Sequence, residues 1–161
     1  MYKLFILALT LALSIVLPAH ATRLNIVSSI EPISYIINDI AKGSEYHLET
    51  LITGNGSPHD FHIKPSTAAL VKNADIVFFI DSNFETFIKA PLNDKNYIML
   101  ARQQGMLILP IRSSKVWYDD HNHHHHHHED DITPHSSRFD YHIWLSPKNA
   151  IKMATAIAAI L

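Results

Sequence analysis

Cysteine is absent from the 161 residues, which excludes disulfides and thiolate metal sites together. A metal held by this chain must be held by imidazole, carboxylate or backbone oxygen. Excess charge of either sign is also lacking: 13 Lys and Arg stand against 15 Asp and Glu, a formal net charge of -2 with a pI near 6.7. That balance gives no electrostatic case for nucleic acid or an anionic membrane as partner. No H-E-x-x-H run is present, and no glutamate neighbours the two histidines singled out below, so a zinc hydrolase would lack both its usual helix and its base. The apolar stretch Leu4–Leu17 falls short of the ~20 residues that a spanning helix needs.

What is there begins with "MYKLFILALTLALSIVLPAHA". A lysine precedes an apolar run that closes on Ala19-His20-Ala21, the small-x-small pattern of a signal peptidase site. Residues 1–21 therefore read as a cleaved signal peptide of a secreted protein, with the mature chain starting near Thr22. Residues 22–161 have room for one domain at about 100–200 residues each, with enough buried surface to fold without staples.

"RLNIVSS" (Arg23–Ser29) alternates and is β-branched, so a first strand is expected. Ile33, Ile36, Ile37 and Ile40 then recur at helical spacing, and Gly43 reads as a stop. Tyr46–Ile52 predicts a second strand, leading into "TGNGSPHDFHIKP", where two glycines and two prolines forbid regular structure. A short helix follows in "STAALVKNA", with Ser66 as its expected N-cap. Ala74–Ile80 is a continuous apolar run, as in a strand covered on both faces. "SNFETFIK" predicts another short helix and "NYIMLA" a fourth strand. Strands alternating with helices predict an α/β fold, a parallel four-stranded sheet with helices on both faces.

From about Arg112 the pattern changes. Residues 112–140 are polar, rich in histidine and aspartate, and without periodicity, which predicts a long loop. Within it lies "WYDDHNHHHHHHEDD" (Trp117 to Asp131). Six histidines in a row resemble a purification tag, but this run lies deep inside the chain between acids. Beyond it Tyr141–Leu145 reads as a strand. Ser146-Pro147 then opens a helix over 147–161, with serine as N-cap and proline in the first turn. That helix is apolar nearly all round, so it expects protein on most sides.

His59 in "GSPHDF" and His142 in "DYHIWL" stand where loops leave strand ends, the place where open parallel sheets bind ligands. Each is either a hydrogen-bonded structural residue or a metal ligand. Ligating imidazoles are oriented through their other nitrogen by a carboxylate or carbonyl, and Asp60 and Asp140 are near enough to serve. His62 is expected to be solvated, since Pro65 argues against a helix that would pair it with His59. Glu85 in "NFETF" is a further carboxylate candidate, although its setting reads as a solvated helix position.

"LNIVSSIEPI", "LITGNGSPHDFHIKPS", "NADIVFFIDSNFETFI", the His/Asp-rich loop and "DYHIWLSPKNAIKMATAIA" together resemble the N-terminal half of ZnuA-type periplasmic zinc-binding proteins. These are the metal-specific substrate-binding proteins of ABC importers. The resemblance covers essentially all of residues 22–161 and implies one lobe of a bilobed metal-binding protein, truncated in the interlobe helix that begins at 147–161. It implies that His59 and His142 are zinc ligands, that Asp60 and Asp140 support them, and that further ligands come from a second lobe. Its zinc-importing members carry a histidine- and acid-rich loop before the second motif. The resemblance thus makes the run native and implies auxiliary zinc binding by His121, His123, His124, His125, His126, His127 and His128. Imidazole-rich sites suit zinc better than manganese. Some members place a glutamate before the first histidine, where this chain has Pro58.

The implied partners are the zinc ion, a membrane ABC permease and a separately encoded C-terminal lobe, with no nucleic acid and no enzymatic step. Two rival readings remain. One is an inactive gene remnant, because a lobe ending on an apolar helix would expose a sticky patch. The other is a periplasmic metal-buffering or chaperone protein acting through the histidine loop alone.

Overall fold

The computed structural model describes residues 23–92, 97–111 and 138–161. The expected signal peptide and the histidine run, with His121 and His123 to His128, lie outside these residues.

Strand β1 (Leu24–Ile30) is buried at every position from Ile26 onward, as a central strand with both faces covered must be. Helix α1 (Glu31–Ile40) follows at once, with a proline in its first turn and Glu31 at its positive end. Ile33 and Ile37, one turn apart, are fully buried, which stabilises the docking by roughly 1.5–3 kcal/mol for each side chain. The chain reverses at Gly43, whose φ of 89° lies in the left-handed region, so the expected stop has its conformational cause. Strand β2 (Tyr46–Ile52), helix α2 (Pro65–Asn73), strand β3 (Ile76–Phe79) and strand β4 (Tyr97–Met99) complete the sheet.

The described residues form a four-stranded sheet in the order β2-β1-β3-β4, with every neighbouring pair parallel. Alternation along β1 and β3 builds two cores. Ile26, Ile30 and Phe78 pack with Ile33, Ile37, Met153 and Ile157 on one face, while Val27, Val77 and Phe79 pack with Val71 and Ile88 on the other. Helices therefore cover both faces, as the strand-helix alternation predicts.

After β4 a short antiparallel ribbon joins β5 (Leu109–Pro110) to β6 (Phe139–Asp140). A 3-10 turn at Ile143–Leu145 leads into α3 (Pro147–Ala158). Asn149, Met153 and Ile157 are its buried stripe. The Asn149 side chain accepts from Leu107 N at 3.1 Å and donates to Leu107 O at 2.8 Å, tying α3 to the segment before β5.

Several local expectations need correction. Strand β6 ends before Tyr141, and the segment expected as strand Tyr141–Leu145 instead holds a 3-10 turn at Ile143–Leu145, with Tyr141 and Ile143 buried. The helix expected in "SNFETFIK" shrinks to a 3-10 turn at Thr86–Ile88. Ser66 does not cap α2: Lys64 holds the N-cap position without a side-chain bond, because Pro65 already starts the helix. Among the described residues helix α3 is covered along its stripe of Asn149, Met153 and Ile157, with Ile151 68% exposed.

Candidate metal centre

Parallel strands deliver their carboxyl ends to one edge of the sheet. Ligands bind there at the switch point, where successive connections diverge. Here that point lies between β1 and β3, with β2 on one side and β4 on the other. The loop after β2 carries His59, the turn after β3 carries Phe84, and His142 enters between β6 and α3.

The His59 loop is shaped by two glycines. Gly54 adopts φ 62°, a left-handed conformation that side chains resist. A Cβ on Gly56 would stand 2.7 Å from Ile52 Cγ2, so the loop folds back on the end of β2 as only glycine allows. Ser57 Oγ accepts the His59 backbone N–H at 3.2 Å. Two residues on, Phe61 packs edge-on against Phe87 at 4.8 Å between ring centroids, which pins the loop to the turn after β3.

Asp140 Oδ1 accepts both the backbone N–H of His142, at 3.0 Å, and its ring Nδ1, at 2.7 Å. With Nδ1 donating to a carboxylate, Nε2 carries the lone pair, the arrangement that prepares an imidazole to ligate.

Distant in sequence, the His59 and His142 rings meet at 5.6 Å between centroids and 44° between planes. Phe84 is wedged behind both, edge-on to His59 at 4.9 Å and to His142 at 5.2 Å. Trp144 closes the side of His142 at 5.2 Å and touches Phe84 at 5.9 Å. Such an apolar wall restricts the imidazole rotamers on the side it covers. It was not foreseen, because aromatic residues in "NFETF" and "HIWL" are equally what a core requires.

Asp60 is exposed, and its backbone N–H donates to Ser57 O at 3.3 Å. No hydrogen bond or ion pair joins its carboxylate to His59. His62 is exposed, as expected. Among the described residues no group of three or more His, Cys, Asp or Glu converges as a metal cluster, so the pair stands with Asp140 behind one member.

Glu85 is the clear departure: the expected solvated residue is fully buried. Its Oε2 accepts the backbone N–H of Ile80 at 2.6 Å and of Asp81 at 3.2 Å, at the end of β3. Burial pushes the carboxyl up to about 7, with Asp81 adding to the rise; the two amides and the Ser29 hydroxyl pull it down. Glu85 Oε1 and Ser29 Oγ are neighbours in the core but lack the geometry of a proper hydrogen bond. The available clue was an acid inside an otherwise apolar run, Phe84-Glu85-Thr86-Phe87-Ile88.

Comparison with known proteins adds a second line. The family model described as ZnuA, zinc-uptake complex component A periplasmic, matches residues 26–161. The high-affinity zinc uptake system protein ZnuA of Yersinia pestis is 30% identical over 156 residues, covering 91% of this chain and 48% of that protein. The zinc-binding lipoprotein AdcA of Streptococcus pneumoniae is 31% identical over 138 residues, covering 84% of this chain and 26% of that protein. The crystal structure of the Zn(II)-bound ZnuA-like domain of Streptococcus pneumoniae AdcA superposes with a TM-score of 0.59 at 26% identity, covering 84% of this chain and 42% of that one. The chain spans about half the length, or less, of the curated relatives it matches.

Proposed function

Since this chain belongs to the ZnuA family of periplasmic zinc-uptake components, we propose that it binds zinc as the extracytoplasmic substrate-binding part of an ABC importer, with His59 and His142 as ligands. Zinc is cargo in this role, captured and released without covalent chemistry. The observation that carries the proposal is the approach of the two rings to 5.6 Å with Nδ1 of His142 held by Asp140. Nitrogen ligands about 2.1 Å from a tetrahedral zinc would place two ring centroids roughly 5 Å apart, so only a small adjustment of either ring is needed.

Two imidazoles fill half of a tetrahedral set, and the remaining positions would be filled from outside the described residues. In this proposal residues 22–161 are the N-terminal metal-binding lobe, and 147–161 begin the helix towards a C-terminal lobe, separately encoded or not. Histidines 121 and 123–128 would be auxiliary sites that load metal towards the pair. A membrane permease is the partner that receives the ion, and residues 1–21 are the export signal. The relatives named for zinc uptake and zinc binding support the zinc-binding part of this reading at the level of the family.

The test is a competitive zinc titration on a chain whose loop histidines have been replaced by asparagine. His59→Ala and His142→Ala should each weaken the remaining site at least about tenfold, since even an outer-shell loss commonly costs that much. Unchanged affinity in both variants would overturn the assignment.

A further inference from the structure

The buried carboxyl of Glu85 lies outside the ligand pair, yet it holds a turn that touches both halves of that pair. We propose that Glu85 is a positioning residue of the zinc site: by capping the end of β3 it fixes the turn that presses Phe84 against His59 and His142. This inference rests on the proposed ligation by His59 and His142 and adds the element that sets their mutual geometry.

The turn after β3 has little regular structure of its own. Its hydrogen bonds are few: Phe84 N and Glu85 N both donate to Asp81 O, at 3.0 and 2.9 Å, and Asn83 N donates to Asp81 Oδ1 at 2.8 Å. Strand β3 stops at Phe79, so the amides of Ile80 and Asp81 need acceptors. Both take the single oxygen Glu85 Oε2. The carboxyl thus ties the far side of the turn back to the sheet, and the aromatic residues of the turn pack against the two histidine-bearing segments. Phe84 meets both imidazoles, and Phe87 holds Phe61 of the His59 loop. Without the carboxyl, two buried amides lose their acceptor, and a buried unsatisfied N–H is strongly disfavoured. The turn would then re-form with different dihedrals.

An alternative placing Glu85 as a direct ligand is not compatible with this arrangement. Its Oε2 is committed to two amides, and the whole residue is sealed from the surface. Asp81 neighbours it and is itself engaged, accepting from Arg102 Nε at 3.3 Å.

The experiment uses the full chain with residue-resolved NMR of the imidazoles, before and after addition of zinc chloride. Glu85→Gln keeps one oxygen acceptor in place, so both amides stay satisfied; the His59 and His142 resonances and the zinc affinity should remain within about twofold of the parent. Glu85→Ala removes the acceptor, so both rings should lose their Phe84-dependent shifts in the zinc-free protein, and zinc affinity at the pair should fall about tenfold, the scale of an outer-shell loss. Phe84→Leu leaves the carboxyl and its bonds intact and must reproduce both effects, which keeps the question answerable if Glu85→Ala does not fold. Unshifted imidazole resonances in Phe84→Leu, or an equal loss of affinity in Glu85→Gln and Glu85→Ala, would overturn the positioning role. If zinc leaves the imidazole resonances of the parent untouched, the ligand assignment itself fails, whatever the variants do.

Discussion

Replacing Asp140 tests whether the tautomer of His142 is set by a carboxylate. Asp140 Oδ1 accepts from the ring Nδ1 at 2.7 Å and from the backbone N–H of the same residue at 3.0 Å. Asp140→Ala removes both hydrogen bonds, while Asp140→Asn keeps an oxygen in the same place without the charge. Outer-shell partners of ligating histidines are commonly worth about 10–100-fold in metal affinity. The imidazole here is 40% exposed and the carboxylate 52%, so solvent screening places the loss at the low end. Asp140→Ala should therefore weaken zinc binding about tenfold, which is about 1.4 kcal/mol. A neutral acceptor is roughly half as strong as a charged one, so Asp140→Asn should cost about threefold. The assay is competition with a chromophoric chelator, on the chain with substituted loop histidines, beside a thermal melt to show that the fold is unchanged. If Asp140→Ala binds zinc as tightly as the parent while His142→Ala does not, the carboxylate does not orient the ring and the metal is free to take Nδ1.

Glu85 also makes stability depend on pH. Its carboxyl titrates near 7 in the folded protein against an ordinary value of 4.5, so between these limits the folded chain keeps a proton that the unfolded chain has released. The stabilisation is complete below pH about 4.5 and is lost as pH rises through 7, by roughly 3 kcal/mol in all; urea melts of Glu85→Gln should be flatter across that window, and an unchanged slope would refute the assignment. Gly54→Ala, at φ 62°, should destabilise by about 1–2 kcal/mol, measured as a shift in the urea midpoint. Met153→Ala, in the fully buried stripe of α3, should cost about 2–5 kcal/mol; a cost near zero would mean that α3 does not pack on the sheet as described.

Much of the fold was legible because the signals were local and redundant. Isoleucines at helical spacing with a glycine stop specify α1. A β-branched run and an apolar run specify β1 and β3, and alternation of strands with helices leaves a parallel sheet as the simple solution. The misread segments lie where local pattern and tertiary demand diverge. "YHIWL" carries β propensity and would bury Tyr141 and Ile143 on one face as a strand, yet it coils into a 3-10 turn that leads directly into α3. "NFETFIK" looks amphipathic, but its acid faces inward because the end of β3 leaves two amides to satisfy.

By itself the sequence determined the chemistry available: no thiols, two histidines at strand ends, a carboxylate two residues before one of them, and a parallel sheet to mount them on. These follow from residue type and short-range spacing, which the chain cannot change by folding. Only the tertiary structure decided that His59 and His142 share one place, that Phe84 and Trp144 wall it, and that Glu85 rather than Asp60 is the buried acid beside it. Those outcomes depend on contacts between segments far apart in the chain, whose partners are chosen by packing and by the need to satisfy buried amides. Spacing along the chain carries no record of either.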